Sequence, residues 1–278
     1  MKRISPYLAI AVCLPLILTA KTAHAHPFCT AEEPQGIFAR WHRPMIAIVI
    51  DDMGVDRKRS ARATAELDKG ITFSYLPYAQ NIQQQVDAAR AKGHPIMLHL
   101  PWEAENSKVN PGPHHLATHM TATTLQRNLS ANLDGFTGYD GINNHMGSKF
   151  SQFRPGLEIV MHDVKSRGLF FLDSKTIAAS QAESVAQAYN IPATSRDVFL
   201  DHTATRDAVD AALADVERIA RCEGAAVAIG HPKDVTIDAL AAWAPTLARK
   251  GLRLAPVTAI IDYRADGRAN PLLKGPTP

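Results

Sequence analysis

Apolar residues recur along this chain in short, unbroken runs that stop on a carboxylate or an imidazole, and a longer amphipathic stretch follows each one. The first run, Met45-Ile46-Ala47-Ile48-Val49-Ile50, ends on Asp51-Asp52 and is followed by Met53-Gly54. A continuous β-branched run of this length suits a strand covered on both faces, as in a parallel sheet flanked by helices. Further strands are predicted over 71–76, 95–99, 139–142, 169–172, 198–200, 225–229 and 252–261. Helices are predicted over 56–68, 81–92, 123–133, 155–167, 179–189, 204–221 and 234–250. Pro245 should kink or split the last of these helices. Gly70, Gly93, Gly168 and Gly251 sit where helices should end, and Thr123 with Gln126 has the spacing of a capping box. Alternation of strand and helix seven or eight times predicts parallel βα units and a sheet that closes, or nearly closes, into a barrel. Between the third strand and the next helix lies a long loop over 101–119, of the kind that carries function.

The ends of the chain read differently. Lys2 and Arg3, an apolar stretch from Tyr7 to Ala20 and Ala23-His24-Ala25 have the form of a cleaved export signal over residues 1–25, too short to favour a membrane span. Cys13 lies inside that apolar stretch and is a poor lipoprotein cysteine. The expected organisation is a signal over 1–25, an arm over 26–44, one α/β domain over 45–262 and a tail over 263–278. The expected location is periplasmic or secreted, with no stable membrane anchor once the signal is removed. Of 30 basic and 27 acidic residues, Lys2, Arg3 and Lys21 leave with the signal, so the remaining chain is formally neutral. Nothing in that balance favours nucleic acid. Cys29 and Cys222 could pair in an oxidising compartment or remain as two thiols.

The chemistry gathers at the ends of the predicted strands. These carry Asp51 and Asp52, then His99 with Glu103 four residues on, then His145, Asp173, Asp201 with His202, and His231. In a βα barrel all such ends converge on one rim. Any one of these residues has a bland alternative: an aspartate can cap the next helix, and a histidine can sit satisfied in a core. Imidazoles plus a carboxylate on one rim suit a divalent ion such as Zn²⁺, with a further carboxylate as base and a further histidine as acid. His114, His115 and His119 lie in the long loop and are expected in solvent, while Met97 and Met146 are expected in the core. Trp102 is either a loop anchor or a sugar-stacking platform. No G-x-S-x-G elbow, C-x-x-C pair or phosphate-cradling loop is present.

Several of these stretches together resemble the divergent polysaccharide deacetylases, a branch of the NodB-like carbohydrate esterases. They are 47–54 (AIVIDDMG), 93–103 (GHPIMLHLPWE), 143–149 (NNHMGSK), 170–174 (FFLDS) and 228–231 (AIGH). The resemblance implies an irregular (β/α)7 barrel and a metal-dependent hydrolase, with Zn²⁺ the expected ion, that removes acetyl groups from a cell-envelope or other glycan. It implies Asp51 as general base, Asp52 and His99 as metal ligands and His231 as general acid. Where the wider group has a second histidine in H-x-x-x-H, this chain has Glu103. The third ligand is therefore either His145, the preferred choice, or Glu103. Asn144, Lys149, Asp173 and Asp201 are additional candidates, with Lys149 a substitute for the oxyanion contact of the absent R-P-P-Y motif. The altered spacing also admits a non-catalytic module that keeps the barrel to bind a glycan or a protein partner.

Overall fold

The structure is a computed structural model and describes residues 43–269. The chain opens with strand β1 (Met45–Met53) and helix α1 (Arg57–Glu66), then β2 (Thr72–Tyr75) and α2 (Ile82–Ala91). Next come β3 (Ile96–Trp102) and α3 (Ala122–Leu133), β4 (Gly141–Met146) and α4 (Arg154–Ser166), and β5 (Phe170–Asp173) and α5 (Ala182–Ala188). The short strands β6 (Ala193–Ser195) and β7 (Val198–Phe199) precede α6 (Arg206–Glu223). The order closes with β8 (Ala225–Gly230), α7 (Asp234–Trp243), β9 (Arg253–Leu254) and α8 (Val257–Ala269). Among the described residues all strand pairings are parallel, in the order β6-β5-β4-β3-β2-β1-β8-β7, with β9 beside the start of β1.

The sheet curls into an irregular (β/α) barrel, as expected. Seven βα units are recovered if β6 and β7, two residues apart, share the crossover through α6 and the two-residue β9 with α8 is set aside. The seam lies between these two strands. The backbone N–H of Arg196 bonds to Asp173 on one side of it and that of Asp197 to Val227 on the other, so the chain itself bridges the gap.

Parity along the strands sorts the core. Ile46, Ile48 and Ile50 face the helices, whereas Met45, Ala47 and Val49 join Met97, Leu172, Val227 and Ile229 inside the barrel. The inner cluster is completed by Val257, Ile260 and Ile261 of α8. This corrects the expected strand over 252–261 and the tail from 263: the β-branched run Val257 to Ile261 is helical, and the helix continues to Ala269. Local preference of Val and Ile for strands is overridden because spacing of three and four lets one helical face fill the barrel's lower mouth. Arg264 fastens the helix to the seam, donating to Thr194 Oγ1 at 2.7 Å and Asp197 Oδ2 at 2.6 Å.

Smaller differences also have physical causes. Helix α3 begins at Ala122, with Thr121 as its N-cap accepting from Thr124 N, so the Thr123–Gln126 capping box does not form. Helix α7 stops at Trp243 and a 3-10 turn carries Pro245, the split expected from that proline. The pairing of Cys29 with Cys222, the arm up to residue 42 and the signal lie outside the described residues. Among the described residues no helix is long and apolar enough to cross a membrane. Truncating the plug by Ile260→Ala should lower stability by roughly 2–5 kcal/mol, measured by urea unfolding; an unchanged midpoint would show that α8 does not close the core.

Candidate metal-binding and acid-base site

Above the apolar layer of the barrel interior sits a polar layer made by the next inward positions. Asp51 follows Met45, Ala47 and Val49 in parity and is 3% exposed. Its Oδ1 accepts from Asn143 Nδ2 at 2.8 Å. Asn143 is paired in register with His99, and its Oδ1 accepts from Ser74 Oγ at 2.6 Å and lies 2.8 Å from His99 Nδ1. The same Nδ2 also donates to Ser174 Oγ at 3.1 Å. One amide thus ties the inward residues of several strands into a connected network, and the network sets the orientation of the base candidate and of one imidazole.

Asp52 should point outward by strand alternation. It does not, because β1 bulges against β2 between Ile50 and Met53 and Asp52 takes a left-handed backbone, φ 57°. A bulge of this kind re-aims a side chain at a sheet rim. It brings Asp52 Oδ1 to 2.9 Å from His145 Nδ1 and 3.3 Å from His99 Nε2. At the end of β4, Met146 is also left-handed, φ 54°, and Gly147 follows at φ 90°. A side chain on Gly147 would meet Trp102 Cβ at 2.8 Å, so glycine lets this turn seat closely against β3 and holds His145 over the rim.

Asp52, His99 and His145 each present a ligand atom within 4.8 Å of the others, so these residues form a candidate metal site. Two observations fit a divalent cation there. Buried Asp52 Oδ1 has no donor aligned on it despite the short distances. Moreover, His99 donates from Nδ1 to Asn143 Oδ1, so the neutral ring turns its Nε2 lone pair toward the carboxylates of Asp51 (3.6 Å) and Asp52. A lone pair facing two carboxylates is repulsive unless a proton or cation lies between them. The imidazole is accordingly raised above its ordinary range: burial pulls it down, but Asp51 and Asp52 prevail. Burial pushes Asp52 up, yet its contacts with His145 and His99 hold it well below the usual carboxylate range. Asp51 moves the opposite way, raised by burial despite nearby His99, His231 and Asn143.

His231 enters from β8. Its Nδ1 donates to Asp201 Oδ1 at 2.9 Å, and its Nε2 lies 3.7 Å from Asp52 Oδ2. Asp201 is fully buried and its other oxygen accepts from His231 N and Thr236 Oγ1, each at 2.8 Å. Burial lowers the affinity of His231 for its proton, but Asp201 and the two site aspartates raise it above the ordinary value.

The remaining candidates do other work. Glu103 is not in the cluster. Its Oε2 accepts from Thr118 N and Oγ1 at 2.7 and 2.8 Å, and its Oε1 from Lys149 Nζ at 2.8 Å. It staples the long loop to the turn after β4, and Lys149 is committed to it rather than free for an oxyanion. Asn144, one residue out of the inward parity, accepts from Ser174 N and donates to Met146 O. Asp173, likewise off the inward face, accepts from Lys175 N and Ser180 Oγ. Trp102 is wholly buried, an anchor and not a sugar platform. The helix cap belongs to Asp56, not to Asp51 or Asp52. Asn143 and Ser174, adjacent to chosen residues, are the positions that picking strand ends passes over; alternation counted along the strands that carry Asp51 and His99, and across to their neighbours, identifies them.

Together the fold and rim define a (β/α) barrel with an Asp-His-His cradle flanked by a buried carboxylate and an aspartate-held histidine. The model of the divergent polysaccharide deacetylases matches residues 48–261, and the chain belongs to that family. YibQ of Escherichia coli (strain K12) is 31% identical over 195 residues, covering 70% of this chain and 60% of that protein. The chain thus spans less than two thirds of the length of YibQ. A Haemophilus influenzae (strain ATCC 51907 / DSM 11121 / KW20 / Rd) protein is 31% identical over 198 residues, covering 71% of this chain and 70% of its own. The crystal structure of ATU2773 from Agrobacterium tumefaciens C58 is 30% identical and superposes with a TM-score of 0.77, covering 79% of this chain and 89% of that one.

In the chelator-treated protein, Asp201→Asn should lower the His231 titration midpoint, followed by NMR of the imidazole. The sign follows because the lost carboxylate had favoured the charged ring. An unmoved midpoint would show that Asp201 does not hold the proton.

Proposed function

We propose that this protein is an exported, metal-dependent deacetylase acting on an acetylated glycan. The observation that carries it is the placement of two groups with opposed proton tasks around one Asp-His-His cradle: Asp51 beside His99, and His231 beside the far oxygen of Asp52. Asp52, His99 and His145 would hold the ion, and two imidazoles with one carboxylate suit Zn²⁺. When bound, it supplies Lewis-acid polarisation of the acetyl carbonyl and charge stabilisation as the carbonyl becomes tetrahedral.

The chain's own residues supply the proton transfers. Asp51, raised by burial, accepts a proton from the attacking water, since a carboxylate of raised affinity is a better base. Asn143 keeps the accepting carboxylate oriented through Oδ1, leaving Oδ2 on the side of His99. His231, kept charged by Asp201, donates from Nε2 to the departing nitrogen or oxygen. The signal-like residues 1–25 support the export part of this reading, and export would bring the protein to envelope glycans.

Asp51→Asn should retain Zn²⁺ in a calorimetric titration and lose about 10²–10⁴-fold in acetate release from acetylated oligosaccharides. His99→Ala and His145→Ala should lose both, whereas Glu103→Gln should keep the ion. Wild-type turnover in Asp51→Asn would sink the assignment. Turnover should rise as pH climbs through the titration of Asp51, which must be deprotonated, and fall as pH passes that of His231, which must be protonated. Asp201→Asn should bring the alkaline limb to lower pH; a rate profile with no alkaline limb would remove His231 from the reaction.

A further inference from the structure

The rim is electrically lopsided. The half formed by the ends of β5 through β8 carries Lys175, Arg196 and Lys233, with His202 and His231. Its loops, residues 174–181, 196–197, 200–205 and 231–233, contain only two carboxylates. Asp197 is paired with Arg264, and Asp201 is buried under His231. Asp173 beneath them is bonded to Lys175 N and Ser180, and Asp234 beyond them to Arg59 and Arg62 of α1. The opposite half carries Asp56, Glu103 and Glu105 with Tyr78, Lys108 and Lys149, the last paired with Glu103. It also carries Val55 and Val109, the large apolar side chains most exposed among the described residues.

The cationic half is one connected arc. Arg196 donates from Nε to Ser174 O and from Nη2 to Lys175 O, both at 2.7 Å, and its guanidinium lies 5.3 Å over the Phe199 ring. Phe199 meets His231 edge-on at 5.4 Å and His202 at 6.1 Å. Lys233 donates to Asp201 O at 2.8 Å. The arc therefore begins at the side chain that would protonate the leaving group and runs along the rim with an aromatic ring among its charges. Partly buried cations are screened less than exposed ones, and a guanidinium held by two backbone carbonyls is preorganised for a carboxylate. Lys233 already lies 3.7 Å from Asp201 Oδ1, but a neutral sugar would leave Lys175 and Arg196 without a carboxylate partner among the described residues.

Resting on the deacetylase assignment above, we propose that the substrate is an acidic glycan, in which a sugar next to the acetylated unit carries a carboxylate that seats against Lys175, Arg196 and Lys233. The test uses Asp51→Asn protein loaded with Zn²⁺, titrated calorimetrically with a hyaluronan tetrasaccharide, acetylated and carboxylated, and with chitotetraose, acetylated and neutral. At low salt the acidic probe should bind about tenfold more tightly, and added salt should narrow the gap. The gap should close in Lys175→Gln/Lys233→Gln and in Arg196→Gln. Lys175→Glu, which inverts a charge without touching the buried network, gives the same readout if Arg196→Gln is poorly folded. Equal affinities, binding of neither probe, or a gap unmoved by these substitutions would overturn the proposal. Acetate release by the unsubstituted protein is a separate readout: a preference in binding without release sinks the deacetylase assignment, and release from both probes without preference sinks only the acidic-glycan claim.

Discussion

Burying a carboxylate at the top of an apolar barrel is the constraint on which the rest of this molecule turns. Asp51 sits directly above Val49 and its inner-layer neighbours, where an ionised group without partners is strongly disfavoured. The protein answers with Asn143, whose amide donates to Asp51 while its carbonyl fixes His99, and with Ser74 and Ser174 closing the network. Those partners come from β2, β3, β4 and the end of β5, so the site requires the register of the sheet to be right across four strands. Stability and the candidate chemistry share the same hydrogen bonds.

The lower half of the barrel allows that polar layer to form. Helix α8 fills the mouth with Val257, Ile260 and Ile261, and Arg264 reaches across to the seam where β6 and β7 pass without pairing. The carboxylates and imidazoles of the candidate site thereby gather at one end of the barrel, the end where all strands point their C-termini and where backbone irregularities are tolerated. Both left-handed residues of the cradle, Asp52 and Met146, lie at that end.

Much of the architecture was legible in the sequence because strand burial and helix amphipathicity are written in local patterns. The runs at 45–50, 95–99 and 225–229 and the glycines after the helices point to the βα repeat and the location of the rim. The strand ends offered Asp51, Asp52, His99, His145 and His231 as candidates, and the family resemblance added the roles expected of them. What escaped was whatever depended on a neighbour distant in sequence. The run at 257–261 looks like a strand until the open mouth of the barrel is there to receive one helical face. Glu103 looks like a metal ligand until Thr118 and Lys149 are seen to occupy both its oxygens.

The sequence by itself determined that the chain is a βα repeat, the direction in which the strand ends point and the types of group gathered there, since each follows from periodicity and composition within a single segment. Only the tertiary structure decided which of those groups meet. A regular strand sends Asp51 and Asp52 to opposite faces; the bulge against β2 turns Asp52 onto the rim beside His99 and His145. Alternation places Asn143 inward and Asn144 outward, and only the pairing of β3 with β4 sets Asn143 against His99. Contacts of that kind are fixed by strand register and by backbone conformation at one or two residues, quantities to which local hydrophobic pattern is nearly blind.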